Sequence, residues 1–232
     1  MIVREQRIGN QRLILGDCLE VMPTLGKVGA LVTDPPFGMA FRSNHRQKKW
    51  GFIEADSESW PIDLAVNFGA DHSKYIWMRW DNLRDIPKPR SLITWVKNNH
   101  SMGDLSGEHG RMTEVCAFYR GPNHYFPGPR PTDVIFAPRT GNDNHPTEKP
   151  VRLMRAVVEW TAGNVFDPFM GSGTTLVACQ KLGRYGTGIE IDPDYFEIAC
   201  RRVDEAARQP DLLIPETQPK PEQLGMFGGE NG

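Results

Sequence analysis

Two short stretches hold residue types whose spacing could do chemistry. In LVTDPPFGM, Leu31 to Met39, an apolar run is followed by a carboxylate, two prolines and an aromatic ring: Asp34, Pro35, Pro36 and Phe37. Adjacent prolines remove two backbone donors, fix two φ angles and stop a helix from starting. Asp34 and Phe37 are thereby mounted on either side of a stiff piece. The second stretch, NVFDPFMGSGTTLVACQKLG, reads as a strand, a glycine-rich turn and a helix. Gly171 and Gly173 let backbone pass close to a ligand, and Thr174 can open the helix.

The charge around the turn narrows the ligand. Asp167 ends the strand before the glycines, and Glu190 follows Gly171 by 19 residues, at the end of the next strand, where an acid can hold ribose hydroxyls. A dinucleotide would lay an anionic pyrophosphate over the turn, where Asp167 opposes it. S-adenosylmethionine has no phosphate and carries a cationic amine and sulfonium, which a carboxylate attracts. The third glycine of the dinucleotide fingerprint is missing, and no lysine follows the glycines as it would in a P-loop. S-adenosylmethionine is therefore the cofactor expected, and no metal is.

The elements that must position these residues alternate as in an α/β sheet. RLILGD, ALVTDP, KYIWMRW, SLITWVK, EVCAFYR, GNVFDP and RYGTGIEI are strand candidates, and PVRLMRAVVEWTA, TTLVACQKLG and PDYFEIACRRVDEAAR read as helices. The last has Asp192 to cap it and Pro193 at its first position. Five strand candidates end in a polar residue: Asp17, Asp34, Lys97, Asp167 and Glu190. One such residue is usually a cap or turn residue. Five on the carboxyl ends of an open parallel sheet mark a ligand-binding edge. The fold expected is a doubly wound, mostly parallel Rossmann-like sheet.

Composition excludes other classes. The 232 residues are 39% hydrophobic and 24% charged, ordinary for one globular α/β domain, and the formal charge is −2. Any nucleic-acid contact must then come from a local basic patch. No apolar run approaches the roughly 18 residues of a membrane span, and the start MIVREQRIGN lacks a signal-peptide core, so the cytoplasm is the expected compartment. The four cysteines have no paired spacing, which favours buried free thiols over a disulfide framework or zinc site.

TDPPFG followed by DPFMGSGTT resembles the catalytic and cofactor motifs of DNA amino-methyltransferases, and the glycine loop coming last is the permuted order of the β group. HPTEKPVRLM, LILGDCLEVMPTL and ITWVKNNHSMGD are similar to further segments of that group, so the resemblance runs over roughly residues 10 to 205. It implies that Asp34 and the carbonyl of Pro35 accept hydrogen bonds from the target amine, whose lone pair is otherwise delocalised into the ring. The prolines would hold both acceptors rigid. Phe37, where the family more often has Tyr, would stack on a base taken out of the duplex. Asp at the first motif position goes with adenine in the family, and Ser with cytosine. The resemblance also assigns Asp17 to the cofactor's adenine or amino-acid end and Glu190 to its ribose. Asp167, Phe169, Gly171, Gly173 and Thr174 would line the turn. Lys149 and Thr147 would reach the cofactor carboxylate, with helix capping the alternative for Thr147.

The activity implied is transfer of a methyl group to adenine in double-stranded DNA. Cytosine N4 methylation, or a silent nucleic-acid-binding module that keeps the cofactor pocket, stands as the alternative. FRSNHRQKKWG holds Arg42, Arg46, Lys48 and Lys49 without an acid and sits beside the catalytic motif, so phosphate contact is expected. YRGPNHYFPGPRPTDVIFAPR lies where the family inserts its target-recognition region, with Arg130 and Arg139 as DNA contacts. So small an insertion reads few base edges, and a homodimer would extend it. The expected layout is one methyltransferase domain over 1–208, with target-recognition insertions near 38–60 and 119–140, and a flexible tail over 209–232. Within that tail Gln223 to Phe227 resembles the peptides by which bacterial DNA enzymes attach to the replication sliding clamp; a chance match or a fold-back onto a subunit surface is the alternative.

Overall fold

The computed structural model describes residues 2–36, 60–84, 86–99, 109–139 and 148–209. Phe37, Arg42, Arg46, Lys48, Lys49, Thr147 and the Gln223–Phe227 motif lie outside them, as does nearly all of the 38–60 insertion. Nine strands form one sheet: β1 (Ile2–Ile8), β2 (Gln11–Gly16), β3 (Val28–Thr33), β4 (Ala70–Met78), β5 (Ser91–Val96), β6 (Thr113–Arg120), β7 (Val134–Phe136), β8 (Val165–Asp167) and β9 (Gly186–Glu190). Their spatial order is β1-β2-β9-β8-β3-β4-β6-β5-β7. The run β2-β9-β8-β3-β4 is parallel throughout, β1 and β6 pair antiparallel to it, and β5 returns to the parallel direction through β6. All seven expected strands are present.

Helices cover both faces, so the sheet is doubly wound as expected. Every residue of β3 is buried, as a central parallel strand requires. Its successive side chains Leu31 and Val32 enter opposite cores. On one face Val32, Tyr75, Trp77 and Trp95 pack with Leu153, Met154, Val157 and Val158 of α3 (Val151–Glu159) and with Ala178 and Cys179 of α4 (Thr174–Lys181). On the other, Leu31, Ile76 and Phe166 pack with α1 (Cys18–Val21) and α2 (Trp60–Asn67). A third cluster seats Phe196, Ala199 and Val203 of α5 (Pro193–Arg208) against α4, and the Asp192 carboxylate accepts from the Asp194 and Tyr195 amides to start that helix. All four cysteines are buried free thiols.

Two strands and two helices escaped the sequence pattern. IVREQRI, which forms β1, is largely exposed on both sides and held by its ladder to β2 and by the Arg7–Glu5–Arg12 ion pairs, so it shows no apolar alternation. Strand β7 has three residues, below the length at which period two is readable. Helix α1 is a single turn capped by Asp17, and α2, though Ser59 and Pro61 mark its start, has only eight residues, too few to show a clear helical period. Among the described residues, no helix is long and apolar enough to cross a membrane.

Candidate active site

Because β2, β9, β8, β3 and β5 all run the same way, Asp17, Glu190, Asp167, Asp34 and Lys97 come together at one edge of the sheet. That is the edge expected from the strand endings, and each residue proves to have a different task.

The glycine turn is built on two carboxylates. Asp167, 3% exposed, accepts from Thr33 Oγ1 and Thr175 Oγ1 at 2.6 Å each and from the Phe169 amide at 3.1 Å. It therefore lies beneath the turn, linking the end of β8 to the end of β3 and to α4. Burial raises its carboxyl to about 6, against the pull of the two hydroxyls and the amide. Glu190 accepts from Gly171 N at 2.9 Å through one oxygen and from the Ile191 and Asp192 amides at 3.0 and 2.9 Å through the other. Three backbone amides thus fix this carboxylate beside Gly171.

The two glycines separate. Gly171 has φ +52°, and a Cβ built there would meet nothing among the described residues within 4 Å, so it faces space that a ligand could approach. Gly173, at φ +82°, would put its Cβ 2.8 Å from that of Ala199, so its bareness lets α5 close on the turn. Thr174 opens α4 as expected. Phe169 is half-buried against the α1–α2 core. Asp17 accepts from Leu19 N at 2.8 Å and caps α1, the ordinary use of such a residue. An open acid-rimmed turn of this kind fits a cationic, phosphate-free cofactor.

On the far side of the turn, Asp34 leaves β3 with Pro35 buried and Pro36 exposed. Its Oδ2 accepts from Lys149 Nζ at 2.6 Å, whereas Oδ1 is buried with no hydrogen-bond partner among the described residues. Lys149, 7% exposed, also contacts Glu114 Oε2 at 3.0 Å, and Glu114 Oε1 accepts from Lys97 Nζ at 2.5 Å. The ammonium expected to reach a cofactor carboxylate is thus placed on Asp34. Burial raises the Asp34 carboxyl above its ordinary range, with Lys149 drawing it down and Glu114 pushing it up. For Lys149 burial works against the charge, but Asp34 and Glu114 outweigh it and raise the ammonium.

The adjacent residue points the other way. Glu148 pairs with Arg202 of α5, whose guanidinium also donates to Ser172 O and Oγ at 2.7 Å and to Thr174 Oγ1 at 3.2 Å. Glu148 and Lys149 therefore clamp the glycine turn and Asp34 from one short segment. Sequence reasoning missed Thr33, Glu114, Glu148 and Arg202. Glu114 alone left a signal, as an acid opening an otherwise apolar strand. Arg130 and Arg139 are not brought together. The loop carrying Arg130 begins at the sheet edge opposite Asp34, where Gly121 and Asn123 bond to His72 and Asp71, while Arg139 follows β7 back to the site edge and donates its amide to Asn98.

A family model described as DNA methylase, covering N6 and N4 methyltransferases, matches residues 28–201. The chain is 29% identical over 233 residues to YubD of Escherichia coli (strain K12), an alignment spanning 88% of this chain and 98% of that one. The crystal structure of the M1.HpyAVI–SAM complex superposes with a TM-score of 0.61 at 25% identity, covering 83% of this chain and 99% of that one. The cytosine-N4-specific PvuII DNA methyltransferase superposes with a TM-score of 0.65 over 87% and 90% of the two chains, and at 15% identity that likeness concerns the fold.

Proposed function

This chain belongs to the N6/N4 DNA methylase family, and we propose that it methylates the exocyclic amino group of adenine in double-stranded DNA. S-adenosylmethionine is the methyl donor; bound at the glycine turn, it supplies an electrophilic methyl group on a sulfonium. Gly171 and Glu190 would hold it, with Asp167 and Asp34 adding negative charge near its cationic end.

The observation that carries the reading is the divided carboxylate of Asp34: Oδ2 is occupied by Lys149, and Oδ1 is buried with no partner among the described residues. A buried acceptor without a donor costs stability and calls for an explanation. A target amine supplies the missing donor. With one N–H on Oδ1 and the other on the Pro35 carbonyl, the nitrogen lone pair becomes available for in-line attack, and the prolines keep both acceptors from having to reorganise. Such an amine is out of reach inside a duplex, so the base must be flipped, and Phe37 is the proposed stacking surface. Asp34 at the first motif position favours adenine over cytosine. Arg42, Arg46, Lys48 and Lys49 are the proposed phosphate contacts and Arg139 a proposed contact on the site edge. Residues 1–208 are proposed as the methyltransferase domain.

The test uses tritiated S-adenosylmethionine, unmethylated DNA amplified from a whole genome, and identification of the labelled nucleoside after digestion. N6-methyladenine is the expected product. N4-methylcytosine as the sole product would overturn the adenine assignment.

A further inference from the structure

Beyond Asp34, the site edge holds a row of charges that the reaction as described does not use. Asp34, Lys149, Glu114 and Lys97 alternate in sign, at 2.6, 3.0 and 2.5 Å between successive partners. They come from four places in the fold: the exit of β3, the segment before α3, the start of β6 and the end of β5. Both lysines are more than nine-tenths covered. Each rests on an indole, Lys149 over Trp77 at 5.9 Å and Lys97 over Trp95 at 4.9 Å, and the two indoles pack edge to face at 6.3 Å. Trp95 is itself pinned by its Nε1–H to Ala137 O at 2.8 Å. The row is therefore backed by a packed aromatic pair, with Trp95 fixed at the Lys97 end.

A row of this kind has little value as a stabiliser, because desolvating four charges offsets most of what their attraction returns. Its geometry has a more specific consequence. An ammonium with Asp34 as its sole anionic partner would be free to bridge both carboxylate oxygens and would draw electron density from the acceptor. Glu114 engages a second N–H of Lys149 and shares its charge, and Lys97 in turn holds the other oxygen of Glu114.

We propose that Glu114 is a positioning residue for methyl transfer: through Lys149 it confines the ion pair to Asp34 Oδ2 and keeps Oδ1 free and electron-rich for the target amine, with Lys97 as its support. This rests on the reading of Asp34 as the amine acceptor. Among the described residues, the charged and titratable groups facing Asp34 are Lys149, Glu114 and Cys116 of β6, Lys97, and Asp167 of β8. Of these Glu114 is the acid whose charge raises the Asp34 carboxyl, and burial of Glu114 is itself overcome by Lys149 and Lys97, which hold it ionised.

The experiment compares wild type, Glu114→Gln and the double variant Lys97→Gln/Glu114→Gln. The double variant removes the outer pair together, so the buried Lys97 charge is not stranded without an anion and Lys149 keeps Asp34. Single-turnover transfer from tritiated S-adenosylmethionine to the amplified genomic DNA is measured across pH, with cofactor affinity and thermal melting alongside. Both variants should lose on the order of tenfold to a hundredfold in transfer rate, while cofactor affinity stays within about twofold. The acid limb of the rate profile should move to lower pH, since removing the Glu114 charge lets Asp34 ionise more readily; in the double variant the loss of the weaker Lys97 charge returns part of that shift, so the move is smaller but in the same direction. A merely structural role would leave that limb in place and scale the rate with the folded fraction, and either result in the double variant overturns the proposal. An active wild type with equally active variants sinks this inference alone. A wild type that transfers no label sinks the acceptor reading together with it.

Discussion

Asp167 shows how one side chain can hold the glycine turn together while costing the fold something at neutral pH. Its three donors come from β3, α4 and the turn itself. Burial still leaves the carboxyl at about 6, raised from 3.8. A folded state that holds the proton more tightly than the unfolded chain is favoured at low pH, and that contribution is lost as pH rises through the window from about 4 to about 6. The two values lie roughly two pH units apart, which at about 1.4 kcal/mol per unit amounts to about 3 kcal/mol. Denaturant titrations of wild type and Asp167→Asn at several pH values should show the wild type losing up to about this much more stability than the variant between pH 4 and 6. Parallel pH profiles for the two proteins would refute the assignment.

At the scale of elements, the turn between β8 and α4 uses its two glycines for different ends. Gly171 borders open space; Gly173 borders Ala199 of α5. Both sit at positive φ, where a side chain costs of order 1 kcal/mol or more. Gly173→Ala adds a clash with backbone-anchored atoms of α5 and should lower the melting temperature well beyond Gly171→Ala, with cofactor affinity following the folded fraction. Gly171→Val should do the reverse, weakening S-adenosylmethionine binding out of proportion to its thermal shift. Melting curves and cofactor titrations on the three variants separate these outcomes, and equal behaviour would mean that the turn does not divide its work in this way. Helix α5 matters for the same reason: Arg202 carries it onto Ser172, Thr174 and Glu148, so the turn is closed from behind as well as supported from below.

For the whole molecule the question is how a chain of net charge −2 holds a polyanion. The proposed answer is local: Arg42, Arg46, Lys48 and Lys49 follow the Asp34–Phe37 stretch in the sequence, and Arg139 lies on the same sheet edge as Asp34. Replacing Arg46, Lys48 and Lys49 by Ala should weaken DNA binding and reduce the slope of log affinity against log salt by roughly 0.9 for each phosphate no longer neutralised. Titrations at several salt concentrations measure the slope directly. An unchanged slope would make this segment ordinary solvated surface. Arg130, on a loop that starts at the opposite edge, is placed for this task only if DNA wraps around the sheet, so its replacement is the useful companion measurement.

Much of this protein was legible in the sequence because the features are local. Prolines stiffen the exit of β3 whatever surrounds them, glycines mark the turn after β8, and short apolar runs marked out the seven inner strands. Polar residues at strand ends pointed to a ligand edge, because parallel strands must share one. The tertiary structure alone decided which charges meet. Side-chain periodicity tells which face a residue occupies but not which strand lies beside it, so nothing in the chain said that Lys149 would find Glu114 as well as Asp34, or that Thr33 would bond to Asp167. The same limit separated Gly171 from Gly173, which share a turn and a positive φ and differ only in what a remote helix places against them. Buried charges act through space over a few ångströms, and those distances exist only once the sheet has set its order.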